Sequence, residues 1–219
     1  MNTMKQAANA RLQKIVDFVL AQRKQTETDG TLSLESLDYR WKHTLRVTQY
    51  GKMIAAEEKA DSEIVLAACI LHDLAKFIPG DHGVEHGRIG ARLARPFLQT
   101  LAYSSEQIEN ICFSIAVHVD DKADFAHPAT IESKIVSDAD NIDRFGAYRV
   151  LMRFHEELNA YETLIASAEQ RLLTLKKYRG RNIMGTPSGN RLFNQQLDMQ
   201  IAFLERLVAD SRLTVLPEL

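Results

Sequence analysis

The sequence predicts an all-α protein, on three observations. Apolar residues recur at intervals of three and four through almost every segment, the period of one face of a helix. Helix-starting groups stand ahead of such segments, among them Asp61 and the Ser104–Gln107 pair, which has the spacing of a capping box. No segment reads convincingly as a strand, and there is no internal repeat or low-complexity tract.

A first helix is expected from about Lys5 to Arg23, with Leu12, Ile15, Val16 and Val19 on one face, and the polar piece 25–33 as a linker. A second covers about Leu37 to Lys59. Asp61 then caps a third, which is apolar on every side over Ile64–Leu71 and is expected to end near Ala75. Pro79, Gly80 and Gly83 mark a loop, followed by a helix from about Glu85 to Thr100. The capping box opens a helix ending near Val119, and 120–128 is a polar loop. Helical periodicity resumes near Thr130, continues from Arg144 to Leu158, and runs from Glu162 to Tyr178, where Gly180 stops it. A helix over Ser188–Ala209 closes the chain. The expected organisation is one domain over 1–219, its core at about 38–158 and a helical appendage at 159–219.

The 219 residues suffice for a substantial core. With 45% hydrophobic and 26% charged residues, the composition is that of a globular protein. A net charge of −2 and a pI near 6.4 argue against binding bulk nucleic acid, though not against one nucleotide in a pocket. Cys69 and Cys112 lie inside apolar helical patterns without ligand spacing and read as reduced core thiols. No leader pattern and no apolar run of about 20 residues is seen, so the expectation is a cytoplasmic protein that does not enter the membrane.

The chemistry is concentrated in His43, the His72-Asp73 couple, His86, His118 and the Asp138/Asp140 pair. Imidazoles and carboxylates gathered from separate helices are how a divalent-metal site is built without thiolates. His72 and Asp73 emerge from the end of a helix apolar all round, and a buried charge there needs a partner, which a metal ion supplies. Helical spacing puts His43 in a row with Val47, Tyr50 and Ile54, His86 with Gly90, Leu93 and Phe97, and His118 with Ile111 and Ile115. A lone histidine on such a face is more often a hydrogen-bonded core residue; it is the ordered set that points to metal. Asp138 and Asp140 stand roughly 160° apart around their helix, so only one can face the site, and periodicity does not choose between them.

The pieces Trp41–Val47, Leu71–Lys76 and Asp138–Asp143 resemble the H…HD…D motif of the HD superfamily of metal-dependent phosphohydrolases. His86–Ala91 and Ala116–His118 resemble the two further motifs of its H…HD…H…H…D form, which holds two metals. The resemblance spans roughly Asp38 to Met152 and implies an HD-type helical bundle with additional C-terminal helices. It selects Asp140 over Asp138, leaving Asp138 at the surface or behind the site. It further implies one or two divalent transition-metal ions, with Asp73 between them, His43, His72 and Asp140 on one, and His86 and His118 on the other. Nitrogen and oxygen donors suit Mn, Fe, Co, Ni or Zn without deciding among them. Two ions about 3.5–4 Å apart would hold a water, lower its pKa and present it as hydroxide to a phosphoryl group.

Lys76, four residues after His72, is the expected point charge for a phosphate oxygen, and Arg46, one turn after His43, a second contact. Asp143 and Arg144 either orient Asp140 or form a local ion pair. His155 and His127 read as exposed or structural, and His82 as a possible pocket wall. The basic group Lys176, Lys177, Arg179 and Arg181 reads as a solvated helix C-terminus.

The expected activity is hydrolysis of a phosphoester or phosphoanhydride of a small phosphorylated substrate such as a nucleotide. The acidic pair that follows His-Asp in enzymes degrading guanosine tetraphosphate is replaced by Leu74-Ala75-Lys76, and the Gly-Tyr-Pro extension of cyclic-di-GMP phosphodiesterases is missing. The His86 and His118 motifs resemble those of diadenosine tetraphosphate hydrolases, and the 138–147 piece resembles small pyrophosphohydrolases of nucleoside triphosphates. Two other readings use the same ligands: a di-iron oxygenase of this fold, and a non-catalytic nucleotide-binding or sensor module.

Overall fold

A computed structural model describes residues 2–216. Among them the secondary structure is helical, with no strand, as the apolar periodicity requires. The elements are α1 (Asn2–Thr28), α2 (Leu34–Glu58), α3 (Ser62–Leu71), α4 (His86–Leu98), α5 (Ser105–Val117), α6 (Ile131–Arg144), α7 (Ala147–Phe154), α8 (Tyr161–Tyr178) and α9 (Pro187–Ser211). Short 3-10 turns cover Leu74–Phe77, Gly83–Glu85 and His155–Glu157. No helix among the described residues is long and apolar enough to cross a membrane. The chain divides into two compact units between Asp140 and Asn141.

In the first unit α3 is the hub. It packs against α1, α2 and α5, so Val65, Ala68, Cys69 and Leu71 are sealed from solvent on every side. Val47 and Ile54 of α2, Ala94 and Leu98 of α4, and Ile111 and Ile115 of α5 complete this core. Each Val, Leu or Ile among them contributes about 1.5–3 kcal/mol by leaving water. Two glycines set the closeness of the packing. A Cβ on Gly51 of α2 would stand 2.6 Å from the Cys69 sulfur, and one on Gly87 of α4 would stand 2.7 Å from the Ala116 carbonyl oxygen of α5. Both cysteines are buried and unpaired, and burial pushes the Cys112 thiol up to about 11.

The second unit is built on α8 against α9, with Ala168, Leu175, Leu192, Phe193, Leu197 and Leu204 buried. Phe145 stands edge-on to Phe193, ring centres 4.8 Å apart, and to Tyr178 at 5.9 Å. Gly180 (φ +79°) ends the stretch after α8, in the left-handed region that glycine enters without strain.

Both predicted caps are present. Asp61 accepts from the Glu63 and Ile64 amides, and Ser104 and Gln107 form the reciprocal capping box. Two expected boundaries differ. Helix α1 runs on to Thr28, over the first four residues of the expected linker, where the buried Thr26 hydroxyl bonds the Phe77 carbonyl, a tertiary anchor that holds a polar turn helical. Helix α3 stops at Leu71 instead of reaching Ala75, and Asp73 takes φ −100°, ψ 20°, in the bridge region. An α-helix would splay adjacent side chains by about 100°; the break lets His72 and Asp73 converge. The basic group Lys176, Lys177, Arg179 and Arg181 at the end of α8 is exposed, as expected, with Lys176 paired to Glu205 at 2.6 Å and Arg179 to Asp198 at the surface.

Candidate metal centre

Five of the six expected ligands are buried side chains of the first unit: His43, His72, Asp73, His118 and Asp140 are each no more than 8% exposed. They come from α2, the α3 terminus, the end of α5 and α6. His86, the first residue of α4, is less buried and reaches the group from the helix end. This corrects the expected row: the buried stripe of α4 is Gly87, Arg88, Gly90, Ala91, Ala94 and Leu98, while Leu93 is exposed. His86 enters the cluster by its place at the first turn and not by lying on the inward face.

The atoms of these side chains meet. His43 Nε2 lies 3.2 Å from Asp140 Oδ1, 3.2 Å from His72 Nε2 and 3.8 Å from Asp73 Oδ2. His72 Nε2 is also 3.8 Å from Asp73 Oδ2. The other carboxylate oxygen, Oδ1, is 3.2 Å from His86 Nε2, which is itself 3.2 Å from His118 Nε2. Asp73 therefore turns one oxygen to each histidine pair. Two triads could hold a cation, His43–His72–Asp140 and His72–Asp73–His118, the donor atoms of each lying within 4.8 Å of one another.

The protonation pattern follows from backbone contacts. Nδ1 of His72, His86 and His118 lies 2.7, 2.6 and 2.7 Å from the carbonyl oxygens of Cys69, Gly83 and Ile115. A carbonyl only accepts, so each Nδ1 carries a proton and Nε2 is the ring nitrogen turned toward the cluster. The His86 and His118 Nε2 atoms face each other at 3.2 Å. Burial and the neighbouring His72 push the His118 imidazole down to about 4, which keeps that ring neutral. Burial opposes ionisation of Asp73, yet the surrounding His72, His86, His43 and His118 outweigh it and hold the carboxyl well below the usual range. The same opposition at Asp140, where His43 hydrogen-bonds the carboxylate, ends at about 2. Lone pairs and ionised carboxylates converging in a dry site fit a divalent cation bound by nitrogen and oxygen.

The remaining expected residues fall as follows. Asp138 is 2% exposed, so its surface alternative is overturned; it is not part of either triad, whereas Asp140 is. Lys76 was expected on the His72 face of a continuous helix. The chain breaks before it, and it stands half-buried in the 3-10 turn, its amide 2.8 Å from the Asp73 carbonyl oxygen. Arg46 is half-buried on α2 and already has an interaction partner. His155 is exposed, His127 leans on Phe113 with ring centres 4.8 Å apart, and His82 is half-buried.

Two positioning residues escaped the sequence reading, Gly87 and Arg88, although both lie inside the His86–Ala91 motif. The absent side chain of Gly87 is what lets the start of α4 lie against the end of α5. Arg88, 7% exposed, reaches Glu85 at 2.6 Å, Asp120 at 2.8 Å and the Lys122 carbonyl at 3.1 Å. Glu85 precedes His86 by one residue and Asp120 follows His118 by two, so a single guanidinium ties together the two segments that carry the outer histidines.

Residues 40–144 match the family model described as HD domain. YpgQ of Bacillus subtilis (strain 168), an uncharacterised protein, is 25% identical over 199 residues, covering 87% of this chain and 93% of that protein. Its crystal structure in complex with ADP superposes with a TM-score of 0.57 at 22% identity, over 88% of this chain and 96% of that one. A predicted HD superfamily hydrolase from an uncultured Thermotogales bacterium gives a TM-score of 0.63 at 21% identity, over 91% and 92% of the two chains, a likeness of fold. Ribonuclease Y of Sulfurovum sp. (strain NBC37-1) is 29% identical over 157 residues, 70% of this chain; the chain spans only 28% of that enzyme. With the His, His-Asp, His, His and Asp positions brought into one cluster, residues 40–144 of this chain form an HD domain.

Proposed function

We propose that this chain is a metal-dependent phosphohydrolase that cleaves a phosphoester or phosphoanhydride of a small phosphorylated molecule, a nucleotide first among the candidates. The observation that carries the reading is the Asp73 carboxylate, with one oxygen toward His43 and His72 and the other 3.2 Å from His86. His43, His72 and Asp140 would hold one divalent ion, and His86 and His118 a second, with Asp73 touching both. His72 has only Nε2 to offer, because Nδ1 is bound to Cys69 O, so it serves a single ion. A second ion therefore needs His86 beside His118. Such ions supply Lewis acidity toward phosphoryl oxygens and lower the pKa of water.

The protein's own part is orientation and charge. Backbone carbonyls fix three rings in one tautomer, so their lone pairs need no rearrangement to bind. Burial excludes bulk water and strengthens each charge–dipole contact. Lys76 would hold a phosphoryl oxygen as a compact cation, with Arg46 as a further contact. The ADP bound by YpgQ supports a nucleotide substrate. The ribonuclease Y relative favours a second reading, a phosphodiester of RNA, against which the net charge of −2 weighs.

The test is a metal-reconstituted turnover screen with Mn, Co, Ni, Fe or Zn on nucleoside di- and triphosphates, bis(p-nitrophenyl) phosphate and a short RNA. Release of phosphate or pyrophosphate that stops on chelation is expected. Turnover of RNA alone would favour the second reading. Saturable nucleotide binding without turnover in any metal would replace the enzyme with a sensor module, and oxygen uptake by iron-loaded protein would replace it with an oxygenase.

A further inference from the structure

The second unit contains a pocket of about 210 Å³ lined by Arg144, Phe145, Arg149, Arg153 and Arg171. Four guanidinium groups and no carboxylate line it. Guanidinium groups stay charged at any physiological pH, so a concave cluster of them concentrates positive potential that an entering anion relieves.

Arg171 shows that the cluster is built and not incidental. It is half-buried, its guanidinium lies over the Phe145 ring at 5.0 Å, and its Nη2 donates to Gln200 Oε1 at 3.3 Å. Gln200 is itself 2% exposed and fixed from the other side, its amide nitrogen donating to the Phe145 carbonyl. The Arg171 Nε is buried without a hydrogen-bond partner, an unsatisfied donor in a residue that lines the pocket. Burial, and then Arg153 and Arg149, disfavour the charge on Arg171, and no carboxylate is among the groups acting on it.

We propose that this arginine pocket is an anion site that takes a phosphoryl or pyrophosphate group. Planar forks of N–H donors match tetrahedral phosphate oxygens, which is the geometry that favours Arg over Lys. The volume falls below the roughly 300–1,000 Å³ of sites that enclose a drug-sized ligand, so the pocket takes the phosphorylated end of a molecule or a free anion, not a whole nucleotide. The inference is independent of the phosphohydrolase reading, since every lining residue belongs to the second unit and the site needs no metal.

The test is isothermal titration calorimetry of the full chain, stripped of metal and desalted free of chelator, with pyrophosphate, inorganic phosphate, ADP and adenosine as probes. Saturable pyrophosphate or phosphate binding is expected, weakened by about tenfold or more in Arg153→Glu and in Arg171→Gln, and unchanged in Arg206→Glu. Arg153 is exposed, so its variant decides the matter if Arg171→Gln proves unfolded by circular dichroism. ADP binding as tightly as pyrophosphate, with adenosine silent, would identify a nucleotide's phosphoryl tail as the occupant. Pyrophosphate binding with ADP excluded would identify a free anion. No saturable binding of phosphate or pyrophosphate to the metal-free wild type, or the same affinity in Arg153→Glu, would overturn the site.

Discussion

The two halves of the His–Asp cluster are assembled by different means. His43 and Asp140 project from within long helices, α2 and α6, and His72 ends the most buried helix of the chain. Their convergence follows from ordinary core packing. His86 and His118 stand at the ends of α4 and α5, and they meet because Gly87 has no side chain and Arg88 ties the flanking segments. The inner half is over-determined by apolar burial. The outer half rests on one missing methyl group and one guanidinium, so the outer ion is expected to be the weaker and more exchangeable of the two.

The largest effect is expected where the halves join. Asp73→Ala should remove bound metal and activity together, a loss beyond the ~10–100-fold typical of residues that only orient a ligand. Metal content and turnover measured on the same sample check this, and full turnover by the variant would sink the shared-carboxylate scheme. Next comes Gly87→Ala, whose Cβ would press on the Ala116 and Ile115 carbonyl oxygens at 2.7 and 2.9 Å. Neither backbone oxygen can swing aside like a side-chain tip, so α4 must move from α5, at a cost of about 1–3 kcal/mol in thermal or denaturant unfolding. Bound metal should fall toward about one ion per chain, with the inner ion retained. Equal loss of both ions would erase the distinction between the halves.

The same comparison marks what the sequence made legible. The inner half could be read because a helix apolar on every side cannot end in His72-Asp73 without a partner for the buried carboxylate, and because Asp61 is a chemically specific start for that helix. The choice between Asp138 and Asp140 could not come from periodicity, and burial would not have made it either, since both are nearly inaccessible. It depends on which carboxylate lies near His43, a relation between α6 and α2 roughly 100 residues apart in the chain. The break at Asp73 was invisible because Leu74, Ala75 and Phe77 continue an apolar helical pattern while the backbone tightens to 3-10. Gly87 and Arg88 stood in the recognised motif, but a glycine's close contact and an arginine's two acids are tertiary facts. Thr26 teaches the same lesson: a polar turn read as linker is helical because a carbonyl from another segment anchors it.

Smaller effects sharpen the picture. Lys76→Ala should retain metal and lose rate, by about 10–100-fold if its ammonium meets a phosphoryl oxygen. Its side chain makes no ion pair or hydrogen bond among the described residues, so its removal should leave the melting temperature nearly unchanged. Unaltered kcat and KM would remove Lys76 from the site. Arg88→Lys should be mildest, preserving charge but losing the double fork on Glu85 and Asp120. Outer-site metal affinity should weaken by about tenfold in a competition titration, while inner-site affinity holds.

The central claim is that this buried cluster is a metal centre, and elemental analysis of freshly purified protein, with neither metal nor chelator added, tests it most directly. About two transition-metal ions per chain are expected, the number that the Asp73 geometry accommodates. About one would confine the centre to its inner half and make His86 and His118 pocket wall. None, even after soaking with Mn and Fe, would contradict the account.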